Sequence, residues 1–218
     1  MEKEELLKRY GIDIESLKKE QMKLAQGIEL KDQIDFSLVE SYGAISNVFI
    51  NNKMLSCIIV CNKDFEIVDQ AYVFEKVRFP YIAGFRNYRE LELMISAFEK
   101  LNEKPDVVFV QGQGISHPRL GLASNFALST GVPTIGIGNN LIDAEVSGED
   151  ILREGKKIGN VLVSKKESKP MYISPGSLIT IESAYKLSKD LIKPPHKRPE
   201  PVHLSAKYAK KVKKELGV

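Results

Sequence analysis

The strongest constraint on the folds open to this chain is a change of period partway along it. Three strand-like runs come first, at residues 42–50, 54–61 and 66–74, separated only by Asn51-Asn52 and Lys63-Asp64. Short polar dipeptides of that kind are turn chemistry, so three such runs in succession read as an antiparallel meander. The apolar spacing then becomes helical at 88–101, returns to a short continuous run at 107–110, turns helical again at 120–130 and ends in a second apolar run at 134–137. Short runs without alternation are strands buried on both faces, which need a helical layer on each side. The expectation is an α/β fold: a mixed sheet of three antiparallel strands followed by parallel strands, with helices on both faces.

Meander first and alternating helix and strand afterwards is the order of ribonuclease H-like folds. Downstream, 158–164 and 171–174 read as a hairpin and 180–189 as a helix. Residues 193–201, with Pro194, Pro195, Pro199 and Pro201, read as a surface-hugging linker short of amide donors, and a basic helix at 204–216 closes the chain. Upstream, 1–36 is a charged helical segment in which Leu6, Leu7, Ile12, Ile14, Leu17, Met22 and Leu24 are spaced as on amphipathic helices, packed outside the core in a structural role. At 218 residues, with 43% hydrophobic and 28% charged, the whole of 1–218 is expected to be one domain with its core at 37–218.

Charge and cysteine usage exclude little but point one way. A net charge of +3 is too mild to demand a polyanionic partner, though it leaves room for a basic face. Cys57 and Cys61 lie inside the apolar run from Leu55 to Cys61, without the further Cys or His partners of a metal site, and read as small buried hydrophobes in a reducing compartment. No apolar run approaches the ~20 residues that cross a bilayer, and the start Met1-Glu2-Lys3-Glu4-Glu5 has no apolar core. A cytoplasmic protein without membrane contact is expected.

Two glycine-rich segments follow predicted strands, where open α/β sheets place their clefts. They are Gly112-Gln113-Gly114-Ile115-Ser116-His117-Pro118-Arg119 and Gly136-Ile137-Gly138-Asn139-Asn140. Glycine lets a backbone approach a flat base or a phosphate and bares amide donors; it equally serves a tight strand-to-helix turn. A third segment, running from Phe79-Pro80-Tyr81-Ile82-Ala83-Gly84 to Arg89-Glu90, is an aromatic loop entering a helix. Such a loop can wedge between bases or merely cap the core. Lys193, Lys197, Arg198, Lys207, Lys210, Lys211, Lys213 and Lys214 can neutralise phosphates, although charge runs are commonly solvated helix faces.

In order and at similar spacing, several segments resemble the endonuclease V family. They are Phe79-Pro80-Tyr81-Ile82 through Arg89-Glu90, Pro105-Asp106-Val107-Val108 through His117-Pro118-Arg119, Pro133-Thr134-Ile135-Gly136, Ser174-Pro175-Gly176 and Arg198-Pro199-Glu200-Pro201. The resemblance runs from about Tyr42 to the C-terminus. It implies a ribonuclease H-like fold and magnesium-dependent cleavage of DNA or RNA near deoxyinosine or inosine. It also implies roles: Pro80, Tyr81 and Ile82 as a strand-separating wedge, with Ala83 where the family has proline. Gly84, Gly112, Gly114, Arg119 and Gly136 would bind substrate, and Glu90 and His117 survive from the catalytic set.

The rest of that set is replaced. The family's Gly-x-Asp becomes Gly43-Ala44-Ile45, so Ile45, or Ala44 with a different gap, takes the place of a metal aspartate; a second aspartate becomes Gln111. A lysine becomes Asn139, the histidine after Ser-Pro-Gly becomes Ser177, and the histidine of the last helix becomes Ala206, with His203 one turn earlier. The His-Pro-Arg segment is also one residue shorter before Leu120. Magnesium normally needs at least one or two carboxylates, and hydrolysis needs the metal both to activate water and to offset charge. The resulting expectation is a degenerate relative that binds inosine-containing or distorted DNA or RNA, with no cofactor and no metal. One alternative is an active Mg2+ enzyme rebuilt around Glu90, Gln111, His117 and either His203 or Glu40; another is a protein-interaction module that kept only the fold.

Overall fold

A computed structural model of the protein describes residues 3–165 and 168–218. The expected meander is there: β1 (Ser41–Ile50), β2 (Lys53–Asn62) and β3 (Ile67–Lys76) pair antiparallel, β1 and β2 in unbroken register from Ser41 opposite Asn62 to Ile50 opposite Lys53. Asn51, in the turn between them, takes φ of 54°, a left-handed conformation that short amide side chains tolerate. The chain then alternates through α3 (Arg86–Glu99), β4 (Val107–Val110), α4 (Leu122–Thr130) and β5 (Thr134–Gly138). β4 runs parallel to β1, and β5 parallel to β4. Parallel neighbours require a crossover, which α3 and α4 supply.

Beyond β5 the sheet grows by antiparallel pairing through β6 (Glu145–Ser147), β7 (Asp150–Arg153), β8 (Lys156–Leu162) and β9 (Met171–Ser177). Among the described residues its nine strands lie in the order β3-β2-β1-β4-β5-β9-β8-β7-β6. Helices α5 (Ile181–Asp190) and α6 (Glu200–Glu215) follow, and α1 (Lys3–Tyr10) and α2 (Ile14–Ala25) precede the sheet. Alternation along β4 divides the core. Val108 and Val110 pack with Ile45, Met94, Phe98 and Phe126 under α3 and α4, whereas Val107 and Phe109 pack with Ala44, Ile135, Leu187 and Val202 under α5 and α6. This is the ribonuclease H-like mixed sheet with helices on both faces.

Cys57 and Cys61 are free, buried thiols, each pushed up to about 12 by burial, as small hydrophobes should be. Among the described residues no helix is long and apolar enough to cross a membrane. Met1 and Glu2, at the charged start, and the packing expected of Leu6 lie outside the described residues.

Three expectations need correction. The last helix begins at Glu200 rather than 204, because Pro199 caps it and Pro201 occupies its first turn, where an amide would have no helical partner. The strands β6 and β7 were not expected; three and four residues long, with β6 exposed throughout, they carry no periodic signal. The segment 1–36 is helical only to Ala25. Its remainder is irregular and pinned to the start of α5, where the Asp32 carboxylate accepts from the Thr180 amide at 2.7 Å and the Ser183 hydroxyl at 2.6 Å.

Phe126 is fully buried between β4 and α3, edge-on to Phe98 at 5.5 Å. Phe126→Ala is expected to cost about 3–5 kcal/mol, measured as a lower urea midpoint at unchanged slope.

Candidate nucleic-acid interface

The cleft opens where β4 and β5 end. The turn after β4 is held against β9: the Gly114 amide donates to Ser174 Oγ at 3.0 Å, and the Ile115 amide to the Pro175 carbonyl at 2.9 Å. Ser174 Oγ also bonds Ser116 Oγ at 2.9 Å, in the core. A Cβ on Gly136 would stand 2.5 Å from the Gly114 nitrogen, and one on Gly114 would collide with the Pro175 carbonyl. Those two glycines, expected at the substrate, are therefore packing positions behind the cleft.

In front of them lies a cavity of about 380 Å³, within the range of small-molecule sites. Tyr81, Gly84, Gly112, Gln113, His117 and Asn139 contribute to its walls. His117 is buried, and its Nδ1 accepts from the Arg119 amide at 3.1 Å, which leaves the ring proton on Nε2. Burial first, then the Arg119 and Arg153 guanidinium groups, push its pKa down to about 4. At neutral pH it is uncharged, and a hydrogen bond to the Gly84 backbone opposes the shift only in part.

The aromatic loop separates into roles. Pro80 and Ile82 turn into the core, whereas Tyr81 is 69% exposed at the rim of the cavity. Arg119 does not reach the cavity, because its guanidinium is engaged elsewhere. Nε donates to Gln21 Oε1 at 2.7 Å, Nη2 to the Gly84 carbonyl at 3.2 Å, and the group lies 5.0 Å over the Phe85 ring. Gln21 Nε2 donates to the same carbonyl at 3.1 Å. Helix α2 thus buttresses the loop as well as covering the core. On the other side Arg153 donates to the carbonyls of Ile115, Ser116, His117, Ile142 and Asp143, stapling the β4 turn to the β5–β6 connection.

A second cavity of about 260 Å³ shares Arg86, Gln111 and Asn139 with the first, and is completed by Ile45, Asn47, Phe49, Glu90, Met94 and Val110. Glu90 is there, its side chain 3% exposed, but both oxygens are taken. Arg86 donates from Nε to Oε1 at 2.7 Å and from Nη2 to Oε2 at 2.9 Å, and Asn47 Nδ2 donates to Oε2 at 3.0 Å. The Ser56 hydroxyl, bonded to Asn47 Oδ1 at 2.9 Å, orients that amide. Gln111 is occupied as well: its carbonyl accepts from Arg86 at 3.2 Å and its Oε1 from Arg198 at 2.7 Å. Burial opposes the charge on Arg86, but hydrogen bonding to Glu90 outweighs it and holds the guanidinium above its ordinary pKa.

These residues do not fit magnesium. A hard cation would have one carboxylate, would meet Ile45 where a second is needed, and would have to displace a bidentate guanidinium. Nor do the other residues considered for a rebuilt site assemble here. Glu40 lies by Asp106, at the opposite end of β1 and β4 from Gln111, and His203 stacks on His196 and lines neither cavity. Asn47, Gln21 and Arg153 were invisible in the sequence, since their partners are 43, 63 to 98 and up to 38 residues away. Arg86 could have been found, because an arginine four residues before a glutamate on a helix forms a pair.

His117 also makes the fold pH-sensitive. Its folded pKa of about 4 lies below the ordinary 6.5, so the unfolded chain takes up this proton first. The contribution is complete above pH 6.5 and shrinks as the pH falls toward 4. Between pH 6.5 and 5 it should remove about 1.5 kcal/mol. Urea titrations across that interval are expected to show this loss in the native protein and not in His117→Asn.

The family model described as Endonuclease V matches residues 22–207. Endonuclease V of Thermosipho melanesiensis is 36% identical over 203 residues, 89% of this chain and 84% of that protein. Among solved structures, endonuclease V of Bacillus subtilis has a TM-score of 0.85 at 25% identity, covering 95% of each chain. Endonuclease V of Ciona intestinalis, solved in complex with a 24mer DNA containing an inosine followed by a ribo-adenosine, has a TM-score of 0.83 at 22% identity and covers 93% of this chain and 98% of that one. Matched over most of its length by the family and by a relative of more than one-third identity, the chain belongs to the endonuclease V family.

Proposed function

We propose that the protein acts as one domain over 1–218, in the cytoplasm, and binds inosine-containing or distorted DNA or RNA without cutting it. The observation that carries the proposal is the Arg86 fork on Glu90 beside Ile45 and Gln111. A guanidinium supplies positive charge and directed hydrogen bonds, but it cannot coordinate a water and lower its pKa as a metal does. Arg86 and Arg198, which meet at Gln111, are well placed to receive a phosphate that the same position in a metal enzyme would present for cleavage.

Binding has its own support. The cavity is open to a displaced base, His117 lines it as a neutral imidazole, and Tyr81 stands exposed at the mouth. An exposed ring at such a rim fills the gap left by a flipped base or stacks on its neighbour. The Ciona intestinalis relative holds an inosine-containing DNA, which makes an inosine-containing strand the first ligand to try.

Fluorescence anisotropy with a labelled inosine oligonucleotide, as DNA and as RNA, is expected to show salt-sensitive binding that is the same in EDTA as in magnesium. A gel of the same mixtures should show intact strands with magnesium and with manganese. Nicking that disappears in Glu90→Gln would overturn the non-cutting reading. Absence of salt-sensitive binding would leave only a protein-interaction role. In the binding assay Tyr81→Ala should weaken affinity by about 1–3 kcal/mol, roughly 5- to 150-fold, with little change in melting temperature.

A further inference from the structure

Two of the three histidines in the chain meet around one carboxylate at the start of α6, away from both cavities. His196 Nδ1 lies 2.7 Å from Glu200 Oε2, and the His196 and His203 rings stack at 3.5 Å between centroids, 17° from parallel. One donor atom from each of His196, Glu200 and His203 lies within 4.8 Å of the other two. The arrangement follows from the backbone. Glu200 and His203 are three apart on one helix face, the spacing by which Glu-x-x-His pairs hold metals in helical bundles, and His196 arrives from the turn ahead.

Close stacking of two imidazoles puts two groups of the same partial and potential charge together, and among the described residues the His203 ring makes no hydrogen bond that would hold it there. What brings the three groups within reach of one cation is the closeness of their donor atoms, not the stack itself. Donors at about 2.1 Å from a tetrahedral ion stand roughly 3.4 Å apart, against 4.8 Å or less here, and the in-plane lone pairs converge on one ion once the stacked rings turn out of parallel about their side-chain bonds. Two nitrogens and one carboxylate select a borderline ion such as zinc, and not magnesium, which prefers oxygen throughout.

We propose that His196, Glu200 and His203 form a binding site for one zinc-type divalent ion, with water completing the coordination. Lys207 and Lys210 act on His203 from the same helix and oppose a cation, so the site is weaker than a closed four-ligand zinc centre. Glu200, whose side chain is 12% exposed, supplies the compensating charge. Because Arg198 lies between His196 and Glu200 and donates to Gln111, the ion would clasp 193–199 onto α6 and fix that guanidinium beside the Glu90 cavity.

The test uses the full chain without a histidine tag, stripped with EDTA and titrated calorimetrically with zinc chloride up to about 100 μM, a range that resolves micromolar affinity. One equivalent is expected to bind, while magnesium chloride gives no saturable heat. His203→Ala and His196→Ala should each weaken zinc binding by at least about 100-fold, more than loss of a supporting residue costs. Saturating zinc should raise the melting temperature by about 5–10 °C in the native protein and in neither variant. Should His203→Ala melt early without metal, His203→Asn takes its place. Cobalt would give a tetrahedral visible spectrum that either histidine substitution removes. Zinc stoichiometry of zero, or equal affinity in the native protein and both variants, would overturn the proposal.

Discussion

The site depends on the parallel pairing of β4 with β1 on one side and β5 on the other. β4 has only four residues, all buried, and its register sets Ile45 of β1 opposite Val110 and Gly136 of β5 beside it. The backbone that leaves β4 must turn immediately above Gly136 and against Pro175, and no side chain fits between them. Close packing of that kind does not relax around an added methyl group. The floor of the cavity is thereby set by main-chain geometry, and side chains from four directions need only be brought to its edge. Tyr81 comes from the aromatic loop, His117 from the β4 turn, Asn139 from the end of β5 and Arg86 from α3.

The electrostatics of the neighbouring cavity follow from one burial. A carboxylate that is 3% exposed has to be compensated, because an unpaired charge there would cost several kcal/mol. In a metal-dependent nuclease the cation serves this purpose. In this chain Arg86, Asn47 and, through Gln111, Arg198 form a closed hydrogen-bonded set around Glu90 with no position left for an ion. Ile45 and Gln111 suit that set: an aliphatic Ile45 adds no charge beside Glu90, and a neutral Gln111 accepts from Arg86 and Arg198 without adding a second charge to balance.

The meander, both parallel strands and both crossover helices were legible because each is a local pattern: turn dipeptides, unbroken apolar runs, a helical repeat. What escaped was short or distant. β6 and β7 have too few residues to show a period, and the proline-rich approach to α6 conceals that a proline in the first turn starts a helix as readily as it ends one. Of the site residues that the resemblance implied, Tyr81, Gly84, Gly112 and His117 line the first cavity and Glu90 the second. Arg119, Gly114, Gly136, Pro80 and Ile82, named with them, line neither cavity: Gly114 and Gly136 are in close backbone contact behind the first, Arg119 ties α2 to Gly84, and Pro80 and Ile82 are buried. A motif records that a residue type is needed at a position; it does not record whether the need is for contact with a ligand or for packing.

That distinction bears on how the two cavities depend on each other. The cavity floor depends on Gly114, Gly136, Ser174 and the carbonyl of Pro175, and its flank on the Gln21–Arg119–Gly84 ties, none of which involves Glu90 or the groups around it. Ile45 and Gln111 take no part in those contacts, so side chains there can differ without penalty to the floor of the first cavity. The converse does not hold. A substitution in the floor would move the β4 turn, and with it Gln111, the residue on which Arg86 and Arg198 converge. The coupling runs from the floor to the Glu90 cavity and not back, so the residues around Glu90 can change while the first cavity keeps its shape.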